Sequence, residues 1–117
     1  MERDPRAFLW DIRQAASDIG SFIAVLDFTG YAQSKVVRSA VERQFEIIGE
    51  ALSQLSKRAP ELASRLPDHR RAIAFRNQLI HGYRHIDHAE VWEIAHVSLP
   101  TLNAAVTALL DELGPPD

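Results

Sequence analysis

The chain has 117 residues, 46% of them apolar and 25% charged, a mixture that buries a core in one domain and is not that of a disordered chain. It has no cysteine, which excludes disulfide and thiolate chemistry. "MERDPRAFLW" at the start carries charge where a secretory leader is apolar, and no apolar run approaches the ~20 residues of a membrane span, so a soluble, cytoplasmic protein is expected. The net charge of −3 argues against a protein coated in basic charge for nucleic acid. That charge is unevenly spread. From Arg65 to His88 five arginines face two aspartates, a net +3, while the rest of the chain holds 8 basic and 14 acidic residues, a net −6. A cationic patch therefore sits on an acidic body; in a generic chain such a patch is most often a solvated face.

Asp4 followed by Pro5 is a helix start signal. Phe8, Ile12, Ala15, Ala16, Ile19, Phe22, Ile23 and Leu26 then recur at three- and four-residue spacing and predict one amphipathic helix. "FTGY" at 28–31 breaks the pattern. A second helix is predicted from Ser34 to Lys57, with Val37, Val41, Ile48, Leu52 and Leu55 as its stripe and Glu46 and Glu50 on the other face. Gly49 costs ~1 kcal/mol relative to alanine in mid-helix, which points to a close packing contact. "APELASRLP" at 59–67, bracketed by prolines, reads as a connection with about one helical turn. A third helix starts near Asp68, read as its N-cap, and ends at His81 or Gly82, where glycine suits the left-handed closing position. A fourth begins at Asp87 with Glu90 at capping-box spacing. It runs through Val91, Ile94, Leu102, Val106 and Leu109, with Pro100 expected to kink or interrupt it. No strand-like alternation, repeat or low-complexity tract is present. The expected fold is a single all-α domain over 1–117, an up-and-down bundle of four to five helices.

One residue disobeys this pattern. On a helical wheel Ala72, Ile73, Leu79 and Ile80 fall within about 60° of one direction, and Arg76 lies at the centre of that arc. An unpaired buried charge costs several kcal/mol. Three arrangements satisfy it: an internal ion pair, a head group snorkelling past an apolar stem, or a subunit interface whose wet cleft holds an anion. The internal ion pair is the commonest fate of such an arginine. His81 lies about 140° round the wheel from Arg76, so the two converge only through the turn at the helix end or through a second subunit. Asn77 stands next to Arg76, able to hold a phosphate or orient a histidine.

"RNQLIHGY" at 76–83 fits Arg, four residues, His, any residue, Tyr. This is the motif of HepT-like proteins of the HEPN superfamily, the toxin half of HEPN–MNT toxin–antitoxin pairs, and the chain resembles that family over nearly its whole length. "VERQFEIIGEALSQLS" resembles the family's second helix, and "RNQLIHGYRHIDHAEVWEIAHVSLP" its motif, following loop and last helix. Arg-x4-His alone is a weak signal; the full motif at the end of a predicted helix is a specific one. One departure is visible: "LPDHRRAIAF" stands where the family often has a tryptophan–arginine pair.

The resemblance implies a dimeric helical bundle that brings two Arg/His motifs into one cleft, and a metal-independent endoribonuclease without a cofactor. RNA carries its own nucleophile, the 2′-hydroxyl, so such a site needs a proton acceptor and a cation for the phosphate. His81 suits the first task near neutral pH, Arg76 the second, and Asn77 positions either. The resemblance also implies a partner, an MNT-type nucleotidyltransferase antitoxin that transfers AMP onto Tyr83 and fills the cleft with an anionic adduct. Otherwise Tyr83 simply packs behind the helix end.

Other readings of the same residues are weaker. His81, His85, His88 and Asp87 have superficial metal-ligand spacing, but the turn at Gly82 breaks the register and there is no cysteine. His85 and His88 are expected to add cationic capacity or cap the fourth helix; His69 and His96 look incidental. Trp10 and Trp92 read as core or interface residues rather than base-stacking platforms. Glu50 points either into a cleft as a partner for Arg76 or into solvent. Two function classes remain: an RNase toxin blocked by modification of Tyr83, and a non-catalytic helical partner of a nucleotidyltransferase.

Overall fold

A helix with one apolar stripe must cover it, and here the longest helix is covered from several sides at once. The computed structural model describes residues 3–82 and 86–115, and these are all-α. The segments are α1 (Pro5–Ile23), α2 (Phe28–Gln33), α3 (Lys35–Arg58), α4 (Pro60–Ala63), α5 (His69–His81), α6 (His88–His96) and α7 (Ser98–Leu113). Five have nine residues or more and two are short. The 24 residues of α3, about 36 Å of helix, form the central rod. Helices α1, α2, α4 and α5 pack on it, α7 packs on α1, and α6 on α7.

The core follows the predicted stripes except that Phe22 of α1 is exposed and Leu9, outside the predicted stripe, is buried. Leu9, Ile12 and Ile19 of α1, Val41, Leu52 and Leu55 of α3 and Val106 of α7 are fully buried. Local signals place the helix starts. The Asp4 carboxylate accepts the Arg6 N–H at 2.9 Å, Ser34 Oγ the Val37 N–H at 3.2 Å, and Asp87 those of Ala89 and Glu90 at 2.9 and 3.4 Å. Each satisfies amide donors that a helix N-terminus leaves open.

Three local expectations are corrected, and a fourth, the interruption by Pro100, is borne out. Asp68 does precede α5, but its backbone is left-handed (φ 56°, ψ 26°) and its side chain caps nothing. Gly82 closes α5 at φ −116°, not in the left-handed region. A Cβ there would lie 3.0 Å from the Gln78 carbonyl oxygen, which accepts the Gly82 N–H at 2.7 Å, so close approach rather than handedness favours glycine. "FTGY" ends α1 but then opens its own helix, because the Asp27 carboxylate accepts the Gly30 N–H at 2.8 Å and Tyr31 is 1% exposed. The interruption attributed to Pro100 falls three residues earlier, at Val97. Proline has no N–H to donate to the carbonyl of residue 96, so α6 stops there and α7 restarts with Pro100 in its first turn.

Tyr31 provides a stability test. Its ring stacks 5.2 Å from that of Trp92, and its buried hydroxyl has no partner among the described residues. Burial, aided by the nearby Glu42 carboxylate and opposed by Arg38, pushes the phenol up to about 12. Below the unfolded value of ~10 both states keep the proton and stability is whole. Between there and about 12 only the unfolded chain ionises, so stability falls as pH rises. Denaturant unfolding at pH 8 and 11 should show a larger alkaline loss for the wild type than for Tyr31→Phe, and little penalty for the variant at pH 8.

Candidate active site at the end of α5

Helix α5 lies along α3 at one point of unusually close approach. A Cβ on Gly49 would stand 2.2 Å from Arg76 Cβ, 2.7 Å from Arg76 Cγ and 3.2 Å from the Ala72 carbonyl oxygen. Only the absent side chain lets the two backbones meet, as the glycine in mid-helix predicts. The base of Arg76 is thereby seated on α3, and Leu79, the buried residue of α5, completes the contact with the core.

Two of the three guanidinium nitrogens are engaged within one chain. Arg76 Nη2 pairs with Glu50 Oε2 at 2.9 Å, and Nη1 donates to Asn77 Oδ1 at 3.0 Å. Nε is buried with no partner among the described residues. The internal ion pair is thus what occupies the centre of the apolar arc. It is not a sealed pair, since the side chains of Arg76 and Glu50 are 28% and 48% exposed. Glu50 itself is the residue that faces away from its helix's stripe, and its other oxygen accepts Gln54 Nε2 at 3.1 Å.

These groups line a groove of about 530 Å³ on the α1–α3–α5 face, together with Arg43, Arg58, Glu46 and Ile80. A second cleft, about 240 Å³, lies on the other side of α5 against α6 and α7. Its floor holds Phe45 and Phe75, edge to face with centroids 5.4 Å apart.

The structure brings Arg76, Asn77 and Glu50 together and leaves His81 apart. His81 is exposed in the last turn of α5 and makes no hydrogen bond or ion pair with Arg76 among the described residues. Tyr83 and His85 lie outside the described residues, so the expectations placed on them are not reached. His88 opens α6 half-buried, its Nδ1 without a partner among the described residues; Asp87, not His88, provides the cap. Among the described residues no group of three or more histidine and acidic side chains is arranged for a metal ion, and no helix is long and apolar enough to cross a membrane. His69 and His96 use Nδ1 on the carbonyls of Leu66 and Trp92. Trp92 is a packing residue, between Tyr31, Phe28 and His96. Trp10 is not in the core: it is 46% exposed, with the Arg13 guanidinium 3.9 Å above its ring.

A family model described as "Ribonuclease HepT-like" matches residues 12–109. The chain belongs to the HepT-like family. This HepT-like chain is 34% identical over 105 residues to a Methanocaldococcus jannaschii protein named "Putative RNase MJ1380", covering 90% of this chain and 95% of the relative. It is 31% identical over 112 residues to the similarly named MJ0125 of the same organism, covering 96% of each. To a Thermococcus cleftensis protein named "Probable ribonuclease HepT" it is 30% identical over 102 residues, covering 87% of this chain and 92% of the relative. No solved structure matches.

One polar cluster of the HepT-like chain had no sequence reading. Burial raises the Glu42 carboxyl, while His88 and Arg38 pull it back down. Glu42 thus joins Tyr31, Arg38 and His88 where α2, α3 and α6 meet. The only sequence trace was a charged residue beside the fully buried Val41, and periodicity does not say which distant histidine faces it.

Proposed function

We propose that this chain is a metal-independent endoribonuclease and the toxin of a HEPN–MNT pair, acting as a homodimer. The observation that carries the reading is the placement of Arg76: its stem is seated on Gly49, and its guanidinium is partnered by Asn77 and open to a charged groove in a family of ribonucleases. A second copy across that groove supplies what one subunit lacks, a histidine facing Arg76. In the reaction His81 takes the proton from an RNA 2′-hydroxyl, and the 2′-oxygen forms its bond to phosphorus. Arg76 compensates the charge growing on the phosphoryl oxygens. The bond to the 5′-oxygen breaks, and a protonated imidazole returns a proton to that oxygen, leaving a cyclic 2′,3′-phosphate. Every step uses groups of protein or RNA, so cleavage is expected to persist in excess chelator.

Control is assigned to Tyr83, as acceptor of AMP from a nucleotidyltransferase partner. Attack of its phenol oxygen on the α-phosphorus of ATP expels pyrophosphate and leaves a negatively charged phosphodiester beside the motif. Intact-mass measurement after incubation with the cognate antitoxin and ATP should show AMP addition to the wild type and none to Tyr83→Phe; equal addition to the variant removes Tyr83 from the scheme. The second reading, a non-catalytic partner of the nucleotidyltransferase, is favoured by one observation: Arg76 is already paired with Glu50 within the subunit. Failure of unmodified dimer to cleave any of a broad set of RNAs would select it.

A further inference from the structure

The ion pair on Arg76 has two unequal members. Arg76 is held at its base, because Cβ and Cγ lie against the Gly49 backbone and Nε is buried. Glu50 is held only at its tip and is nearly half exposed. Whatever enters the groove therefore moves Glu50 and leaves Arg76 in place. Arginine donates to carboxylate and phosphate oxygens alike, and Nη2, the nitrogen that meets Glu50 Oε2, is the donor for which a phosphodiester would compete. The Glu50 carboxylate also has somewhere to go. Glu50 Oε1 accepts from Gln54 one turn along α3, and Gln54 Oε1 accepts Arg58 Nε at 3.3 Å in turn. A row at positions 50, 54 and 58 keeps the displaced carboxylate hydrogen-bonded on the same helix face.

We propose that Glu50 is an internal stand-in for the RNA phosphate: it holds the Arg76 fork in its binding pose while the groove is empty and yields that position when a phosphodiester enters. The inference rests on the reading of Arg76 as the phosphate-binding group. It makes Glu50 a positioning residue, one that acts through Arg76 and weakens substrate binding by competing for it. A partly exposed pair is weak enough for this exchange, whereas a sealed one is not.

The test measures binding apart from cleavage, using a short 2′-O-methyl RNA whose blocked nucleophile prevents reaction. Fluorescence anisotropy would compare wild type, Glu50→Gln, Arg76→Met and the double variant. Glutamine keeps an oxygen for Arg76 and removes the competing charge. Glu50→Gln is expected to bind about three- to tenfold more tightly at low salt, and the gain should vanish when Arg76 is methionine. A purely structural role predicts the opposite, binding lost together with thermal stability. Unchanged or weaker binding by Glu50→Gln, a gain that survives without the arginine, or no binding by any form would each overturn the proposal. The two readings fail separately. Tighter binding without cleavage of ordinary RNA by any form defeats the nuclease and leaves the stand-in. Cleavage by the wild type with binding unchanged in Glu50→Gln does the reverse.

Discussion

RNA cleavage in excess chelator is expected to fall about 10²–10³-fold in Arg76→Ala, the range for removing one donor that stabilises transition-state charge. For His81→Ala the expected loss is about 10²–10⁴-fold, the range for a general acid or base. The two losses should not add, because proton transfer and phosphate stabilisation serve one transition state. Alanine also strips the Arg76 stem from Gly49, so Arg76→Met is the cleaner variant. It keeps the apolar stem over the glycine and removes the fork. Its melting temperature should stay within a few degrees of wild type, since a partly exposed ion pair is worth at most about 1 kcal/mol, while cleavage is lost as in Arg76→Ala. Gel analysis of a labelled RNA together with thermal melting separates the outcomes. Full activity in folded Arg76→Met would remove Arg76 from the chemistry and leave the ion pair as a structural contact.

Replacing Gly49 by alanine is expected to destabilise the protein even though alanine is the better helix former. The new methyl would meet Arg76 Cβ at 2.2 Å, and that atom is fixed to the α5 backbone, so the two helices must part. Overpacking of this kind costs about 1–3 kcal/mol, at the upper end here because no flexible side-chain tip can yield. The gain in helix propensity returns about 1 kcal/mol. The net effect is a melting temperature lower by roughly 5–10 °C. Gly20 is the matched control. It lies in α1 with nothing within 4 Å of an added Cβ, so Gly20→Ala should raise stability by about 0.5–1 kcal/mol. Opposite signs for one chemical change at two helical glycines test the α3–α5 contact directly, and a melting temperature unchanged or raised in Gly49→Ala would contradict it. Because the same contact seats Arg76, Gly49→Ala should also reduce cleavage by the folded protein.

Most element boundaries were legible because the signals that set them are local. Ser34 and Asp87 cap their helices from within three residues. The stripe of α1 and that of α3 could each be counted along the chain, and their buried members match the core. The misreadings were also local. Asp68 had the right residue type for a cap, but its left-handed backbone aims the carboxylate elsewhere. "FTGY" reads as a break because the six residues of α2 are too few for periodicity to register as a helix.

The site was legible in its parts and not in its assembly. Arg76 stood out as a charge within an apolar arc, and Gly49 as a glycine where alanine would be better; neither said that one is the seat of the other. Residues 27 positions apart meet only once α5 is laid on α3. Glu50 had two possible directions on the wheel, and the packing angle of those helices chose the one toward Arg76.

By itself the amino-acid order determined the all-helical class, the starts of α1, α3 and α6 and the family, since propensity, capping and motif spacing act within a few residues of each other. Only the tertiary structure decided that Arg76 is held by Gly49 and answered by Glu50. Contacts between helices depend on crossing geometry and close approach, which no single helix encodes along its own length.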